Sequence, residues 1–336
     1  MRLKVALAAA LAALPLAAAA QPTQVPNLSG KTVTIIVGYK PGGGYDAAAR
    51  ILARHLPNHI PGKPTVIVQN MPGANSIIAA NHVYNAARPD GLTIGTFNRN
   101  LPIAQLTSVQ GVKYDMTKFQ WIGSAANEST ILAIRADLPY KSFEELRKAK
   151  EPVVIGSTGP GANTHDFPLL LKDLLGANLK IVSGYSSSSD IMLAIERKEV
   201  DGRAGSLTSI QPFIDRNLVR PVIRARSVEP GIEKLPVDEN LAANPRAKAI
   251  MALRSAPEVV ARPYVLPPAT PADIVKMYRD AFAATIKDPA LVAESKKAKF
   301  DLEYTSGDEA LKVMKDVLSQ PKDIVDEFSK YIKFGE

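Results

Sequence analysis

Two stretches of this sequence lose their bulky side chains just before a run with helical periodicity: Pro41-Gly42-Gly43-Gly44-Tyr45-Asp46 and Ser157-Thr158-Gly159-Pro160-Gly161-Ala162-Asn163. In such turns the backbone N–H groups lie bare. A helix start holds up to four unpaired donors and about half a positive charge from the macrodipole, so a carboxylate docks there without needing an arginine. Neither stretch matches G-x-x-x-x-G-K-[ST], and Gly42-Gly43-Gly44 lacks the spacing of G-x-G-x-x-G, so phosphate motifs fit poorly. A single loop of this kind is explained equally well by glycines making a tight turn. Two of them, in separate units of the chain, favour an anion site.

The neighbouring residues refine that chemistry. Asp46 stands in a first helical turn, where an acid caps free N–H groups and can pair with Arg50 four residues on; its expected task is to orient the loop. Thr164 and His165 follow the second loop. His165 lies off the apolar stripe begun by Phe167, and Pro168 leaves two readings open: Asn163 caps a helix that contains His165, or His165 sits in the loop. Ligand contact and a purely structural hydrogen bond are both consistent with it. Tyr39, Tyr45 and Tyr185 stand beside strand ends, where they wall a ligand or close a core rim. Asn75 and Ser206 complete the candidate set. His55 and His59 have helix-neighbour spacing, but Pro57 separates them and no third metal ligand is evident. Without cysteine or a G-x-S-x-G elbow, acyl-transfer chemistry has nothing to start from.

These loops need a scaffold of strands, turns and helices in alternation. Thr32–Val37 reads as a strand leading to the first loop and a helix from about Asp46, with Ala48, Ile51, Leu52 and Leu56 as its stripe and Pro57 as its stop. A second unit runs from strand 65–68 through Met71-Pro72-Gly73-Ala74 to a helix over 76–87 and a strand over 92–96. Strands at 121–123 and 130–134 mark the crossing into another lobe. That lobe holds strand 152–156, the second loop, a helix with Phe167, Leu170, Leu171, Leu174 and Leu175 on one face, strand 179–182, a helix from about Asp190 and strand 200–204. Helices over 272–286, 308–319 and 322–331 close the chain. This alternation specifies an α/β protein.

The bulk properties bound the setting. Residues 1–20 have a basic start, an apolar middle and the ending Ala18-Ala19-Ala20, the form of a secretory signal peptide. Its removal takes Arg2 and Lys4 and lowers the formal charge from +8 to +6. The remaining bases are scattered, which argues against a nucleic-acid partner. The absence of cysteine excludes disulfides and a lipid anchor on an N-terminal cysteine. The length left suits two domains of ~150 residues each.

With Tyr39 to Asp46, Asn70-Met71-Pro72-Gly73-Ala74, Pro89-Asp90-Gly91, Gly159 to His165, Glu199-Val200-Asp201 and Arg262 to Pro268 in this order, the chain resembles the substrate-binding receptors of tripartite tricarboxylate transporters, the Bug receptors. The resemblance covers the chain from about Gly30 onward. It implies a type II periplasmic-binding-protein fold: two α/β lobes with a ligand cleft between them, lobe 1 from 30–125 plus 226–336 and lobe 2 from 126–225. It implies a periplasmic monomer without cofactor or metal that captures a small carboxylate for integral-membrane transporter subunits. The ligand-binding residues it implies are Gly42 to Asp46 and Ser157 to His165. Tyr45, Asn75-Ser76 and Lys198 depart from the family, whose members have a small residue at the first position and glycines at the others. A receptor that serves a sensor instead, or a periplasmic hydrolase or isomerase using His165 and Asp46, are the alternatives.

Overall fold

The computed structural model describes residues 26–298, 300 and 302–331; the expected signal peptide lies outside them. In chain order the elements are β1 (Thr32–Val37), α1 (Gly44–His55), β2 (Thr65–Asn70), α2 (Ile77–Asn85), β3 (Thr93–Thr96), α3 (Leu101–Leu106), β4 (Gln120–Ser124), β5 (Thr130–Arg135), α4 (Phe143–Arg147), β6 (Val153–Ser157), α5 (Asn163–Leu175), β7 (Leu179–Ser183), α6 (Ser188–Glu196), β8 (Gly202–Ser206), α7 (Leu207–Asp215) and β9 (Val219–Arg224). They continue with α8 (Pro245–Ser255), β10 (Pro263–Leu266), α9 (Ala272–Ile286), α10 (Pro289–Lys297), β11 (Thr305–Ser306), α11 (Gly307–Leu318) and α12 (Lys322–Tyr331).

The strands form two sheets, ordered β11-β4-β10-β3-β1-β2 and β7-β6-β8-β5-β9. β1 lies parallel between β2 and β3, and β6 lies parallel between β7 and β8. In each sheet, therefore, a central strand ends in one of the glycine loops, at the edge where parallel α/β sheets bind ligands. The chain leaves the first sheet through 125–129 and returns through 225–262. The two crossings are hydrogen-bonded to each other: Ala125 N donates to Arg262 O at 3.1 Å, Ala261 N to Ala126 O at 3.0 Å, and Glu128 N to Glu258 O at 3.2 Å.

Separate apolar cores back the sheets. Val33, Ile35, Val37, Leu52, Tyr278 and Phe282 belong to the first; Leu132, Ile155, Phe167, Leu171 and Val222 belong to the second. The C-terminal third serves both. Ile250, Met251 and Leu253 of α8 and Phe328 of α12 pack into the second core, whereas α9 packs into the first.

Local differences from the sequence reading have clear causes. α1 begins at Gly44 because Gly43 is extended and ends the turn. α5 begins at Asn163 with Ala162 as its N-cap, so Asn163 is not the cap and Pro168 lies inside the helix. At Ala74, Asn75 and Ser76 the backbone is left-handed, with φ of 45°, 49° and 81°, and at Lys198 φ is 62°. The glycines that the resemblance leads one to expect at 75, 76 and 198 fit this backbone shape, which L side chains adopt only at a cost. No helix among the described residues is long and apolar enough to cross a membrane.

Candidate functional site

The cleft is built first by two helices that start bare. Neither α1 nor α5 has a side-chain cap, a feature they share with α2, α3, α7 and α9, whereas α4, α6, α8, α10 and α11 are capped by Ser142, Ser187, Asn244, Asp288 and Ser306. The uncapped starts line one cavity between the lobes, at Gly43, Gly44 and Tyr45 on one side and Ala162, Asn163 and Thr164 on the other. Helix-end donors and positive macrodipole ends converge there.

Each loop is held open by an acid that turns away from the cavity. Gly42 N donates to Asp46 Oδ2 at 3.0 Å, and Gly161 N donates to Asp166 Oδ1 at 2.9 Å. Burial raises the Asp46 pKa, but hydrogen bonds from Arg50, Gly42 and Asn70 outweigh it and hold the carboxyl below its ordinary value. For Asp166 burial wins over His165, Gly161 and Arg254, and the pKa is raised. The orienting role expected of Asp46 is what its contacts describe.

Aromatic and amide groups form the first lobe's wall. Tyr39 stacks on Tyr45 with ring centroids 5.2 Å apart, and the Arg262 guanidinium lies 4.5 Å above the Tyr45 ring on its way to the cavity. Tyr45 Oη accepts from Arg99 N at 2.9 Å. Asn98 Nδ2 reaches across to Gly161 O at 2.9 Å, Asn75 Nδ2 donates to Pro160 O, and Ser189 Oγ donates to Gly42 O at 2.7 Å. These bonds run between the lobes and hold the cleft shut.

Charge is distributed unevenly. Arg99, Arg203, Arg254 and Arg262 are all at most 3 % exposed. Arg262 pairs with Glu128 at 2.7 Å, Arg254 with Glu258 at 2.8 Å, and Arg99 with Glu128 at 3.5 Å and Glu258 at 4.0 Å. Arg203 differs. Its Nη1 donates to Ser188 O at 3.1 Å, its Nη2 donates to Ser209 Oγ, and its Nε has no partner. It has no acid within ion-pairing distance among the described residues, and burial depresses its pKa to about 10. An isolated buried cation is costly, and a carboxylate supplied from solution would relieve it through charge-assisted, bidentate hydrogen bonds.

Of the residues expected from sequence, Tyr39, Gly43, Gly44, Tyr45, Thr158, Asn163, Thr164 and Ser206 line this cavity. Gly42 lines an adjoining chamber. The others stand back from the lining. Asp46, Ser157 and Gly161 are buried in the loop frames, with Ser157 Oγ accepting from Gly159 N at 2.9 Å. Asn75 touches the opposite loop instead of the cavity. Tyr185 packs at the rim of the second lobe's smaller core. His165 lines a separate surface hollow with Lys330 and Tyr331, its Nδ1 3.1 Å from Asp166 Oδ1. His55 and His59 meet Glu294 and Asp288, at 2.7 and 2.9 Å, and fasten α10 to the end of α1.

Asn98, Arg99, Ser187, Ser188, Arg203, Ser209 and Arg262 line the cavity without having been singled out as contacts. Arg203 places a buried cation in the lining beside the helix starts. One signal was available: Gly202-Arg203-Ala204-Gly205-Ser206 is a wholly buried strand in which a single cation stands among small residues.

Comparison with known proteins agrees with this architecture. A UPF0065 protein of Cupriavidus necator is 31 % identical over 163 residues, 48 % of this chain and 46 % of that protein, so the chain spans about half the length of this curated relative. The solved periplasmic binding protein BugD superposes with a TM-score of 0.70 at 21 % identity, covering 90 % of this chain and 96 % of that one. A Rhodopseudomonas palustris protein solved with adipate gives 0.71 at 19 % identity, covering 90 % and 98 %. The fold is therefore that of the periplasmic binding proteins. A model of the tripartite tricarboxylate transporter family receptors, TctC, matches residues 48–329, and the chain belongs to that family.

Proposed function

We propose that this chain is an exported, periplasmic solute receptor that captures a small organic carboxylate between its lobes and presents it, as a monomer, to the membrane subunits of a tripartite transporter. The observation that carries this reading is Arg203, a buried guanidinium without an acid partner beside two uncapped helix starts. A carboxylate placed there neutralises a cleft arginine with no acid in ion-pairing distance among the described residues, and closure removes it from water, which strengthens each charge-assisted bond. The lobes, taken as 30–125 plus 226–336 and 126–225 but with α8 and α12 packed on the second, close on it about the paired crossings by population shift toward the closed form. The adipate held by a structural relative supports an acid as the ligand class.

In this reading the chain binds and releases its ligand unchanged. Asp46 is committed to Gly42 and Arg50, and His165 faces another hollow, so neither is poised for the hydrolase or isomerase alternative. A thermal-shift screen of organic acids tests the proposal: a true ligand at a hundred times its Kd adds about 2.7 kcal/mol of stability. At the same ligand concentration the shift should fall to about half or less in Arg203→Gln. A full shift in that variant, or none with any acid in the wild type, would refute it.

A further inference from the structure

Beyond the main cavity lies a second chamber of ≈ 270 Å³ between α1, α6 and α7. Gly43, Gly44, Ser188, Arg203, Ser209 and Arg262 line both spaces and form a sill between them. The main cavity carries hydroxyl, amide and guanidinium groups, and beyond the sill the second is walled by Ala48, Ile51, Met192, Pro212 and Phe213, with Ser189 and Thr208 as its hydroxyl-bearing members. Among the described residues no acid lines the second chamber, and its cations there are Arg203 and Arg262, both at the sill.

We infer that the ligand is an amphipathic monocarboxylic acid whose head group sits on Arg203 and whose aliphatic or aryl tail occupies this second chamber. The orientation follows from charge. Among the described residues the sill holds the chamber's guanidinium groups, and a carboxylate deeper in the chamber would be desolvated without a cation beside it. Size agrees, since an apolar cavity of about 150 Å³ is enough to take up benzene. The bare edges of Gly43 and Gly44 let a chain cross the sill, and a Cβ on Gly44 would approach Arg262 Nη2 to 2.8 Å.

This inference rests on the receptor reading, and the test separates the two. Isothermal titration of the full-length mature protein with straight-chain acids from acetate to octanoate, and with benzoate, reads the dependence of Kd on tail length. Tail burial predicts that affinity rises about fourfold per methylene until the chamber is full. Met192→Trp, which fills the chamber, and Phe213→Ala, which removes a wall, should each flatten that dependence, with circular dichroism reporting whether each variant is folded. Short acids that bind with no gain on lengthening, or a slope unchanged in both folded variants, would overturn the tail site and leave the receptor reading standing. Failure of these monoacids beside binding of a di- or tricarboxylate would overturn the tail site alone, and failure of di- and tricarboxylates as well would overturn both.

Discussion

Arg203 lies across Gly205, two residues along the same strand: a Cβ at position 205 would come within 2.9 Å of Arg203 Nη2 and 3.3 Å of its Cζ. The glycine is what allows the guanidinium to lie flat along β8 and face the cleft. Gly205→Ala should displace it and weaken acid binding while the fold persists, measured by titration calorimetry beside circular dichroism.

Arg203 itself should show opposite effects on binding and stability. Arg203→Met removes hydrogen bonds to a charged ligand worth about 1.5–3 kcal/mol, or roughly 10- to 150-fold in Kd. It also removes an uncompensated buried cation, so the unliganded protein should gain about 1 kcal/mol. Thermal melts without ligand check the second effect; a melting temperature that falls would contradict the view of Arg203 as an unbalanced charge.

The bond from Asn98 to Gly161 O joins the two glycine-loop lobes across the cleft, and opening of the cleft would break it. Asn98→Ala should therefore raise the rate of ligand release about 3- to 10-fold, as expected for one neutral hydrogen bond. Stopped-flow displacement measures it, and association should change much less.

The two loop acids should answer pH in opposite directions. Asp46, with its folded pKa depressed, contributes stability that is present above its unfolded value of about 3.9 and lost as pH falls through the folded value. Asp46→Asn should cost about 1 kcal/mol at neutral pH, and the difference from wild type should shrink below about pH 4. Asp166, raised by burial, loses stability as pH climbs through its window, and an asparagine amide oxygen can still accept from Gly161 N. Asp166→Asn should therefore cost less than Asp46→Asn at pH 7, by denaturant titration.

Ala74 is exposed and left-handed. Glycine removes a steric cost of about 1–2 kcal/mol and adds an unfolded-state entropy cost of about 0.4–1, so Ala74→Gly should stabilise by about 0.5–1 kcal/mol. A melting temperature higher by about 1–3 °C is the expected reading.

The sequence by itself determined the α/β alternation, the positions of both glycine loops and the loop-orienting part of Asp46, because strand and helix periods and cap chemistry act within a few residues. β1, α9 and α12 fall where their patterns place them. Short or irregular elements such as β10, α7 and α8 carry too few periods to stand out. Only the tertiary structure decided which side chains share the cleft. Whether Arg203 has an acid partner depends on Ser188, Ser209, Glu128 and Glu258, brought together by the two crossings, and whether His165 faces the ligand depends on the rotation of α5. Burial and pairing are properties of neighbours distant in sequence, and a buried guanidinium reads the same along the chain whether it is neutralised or waiting for an anion.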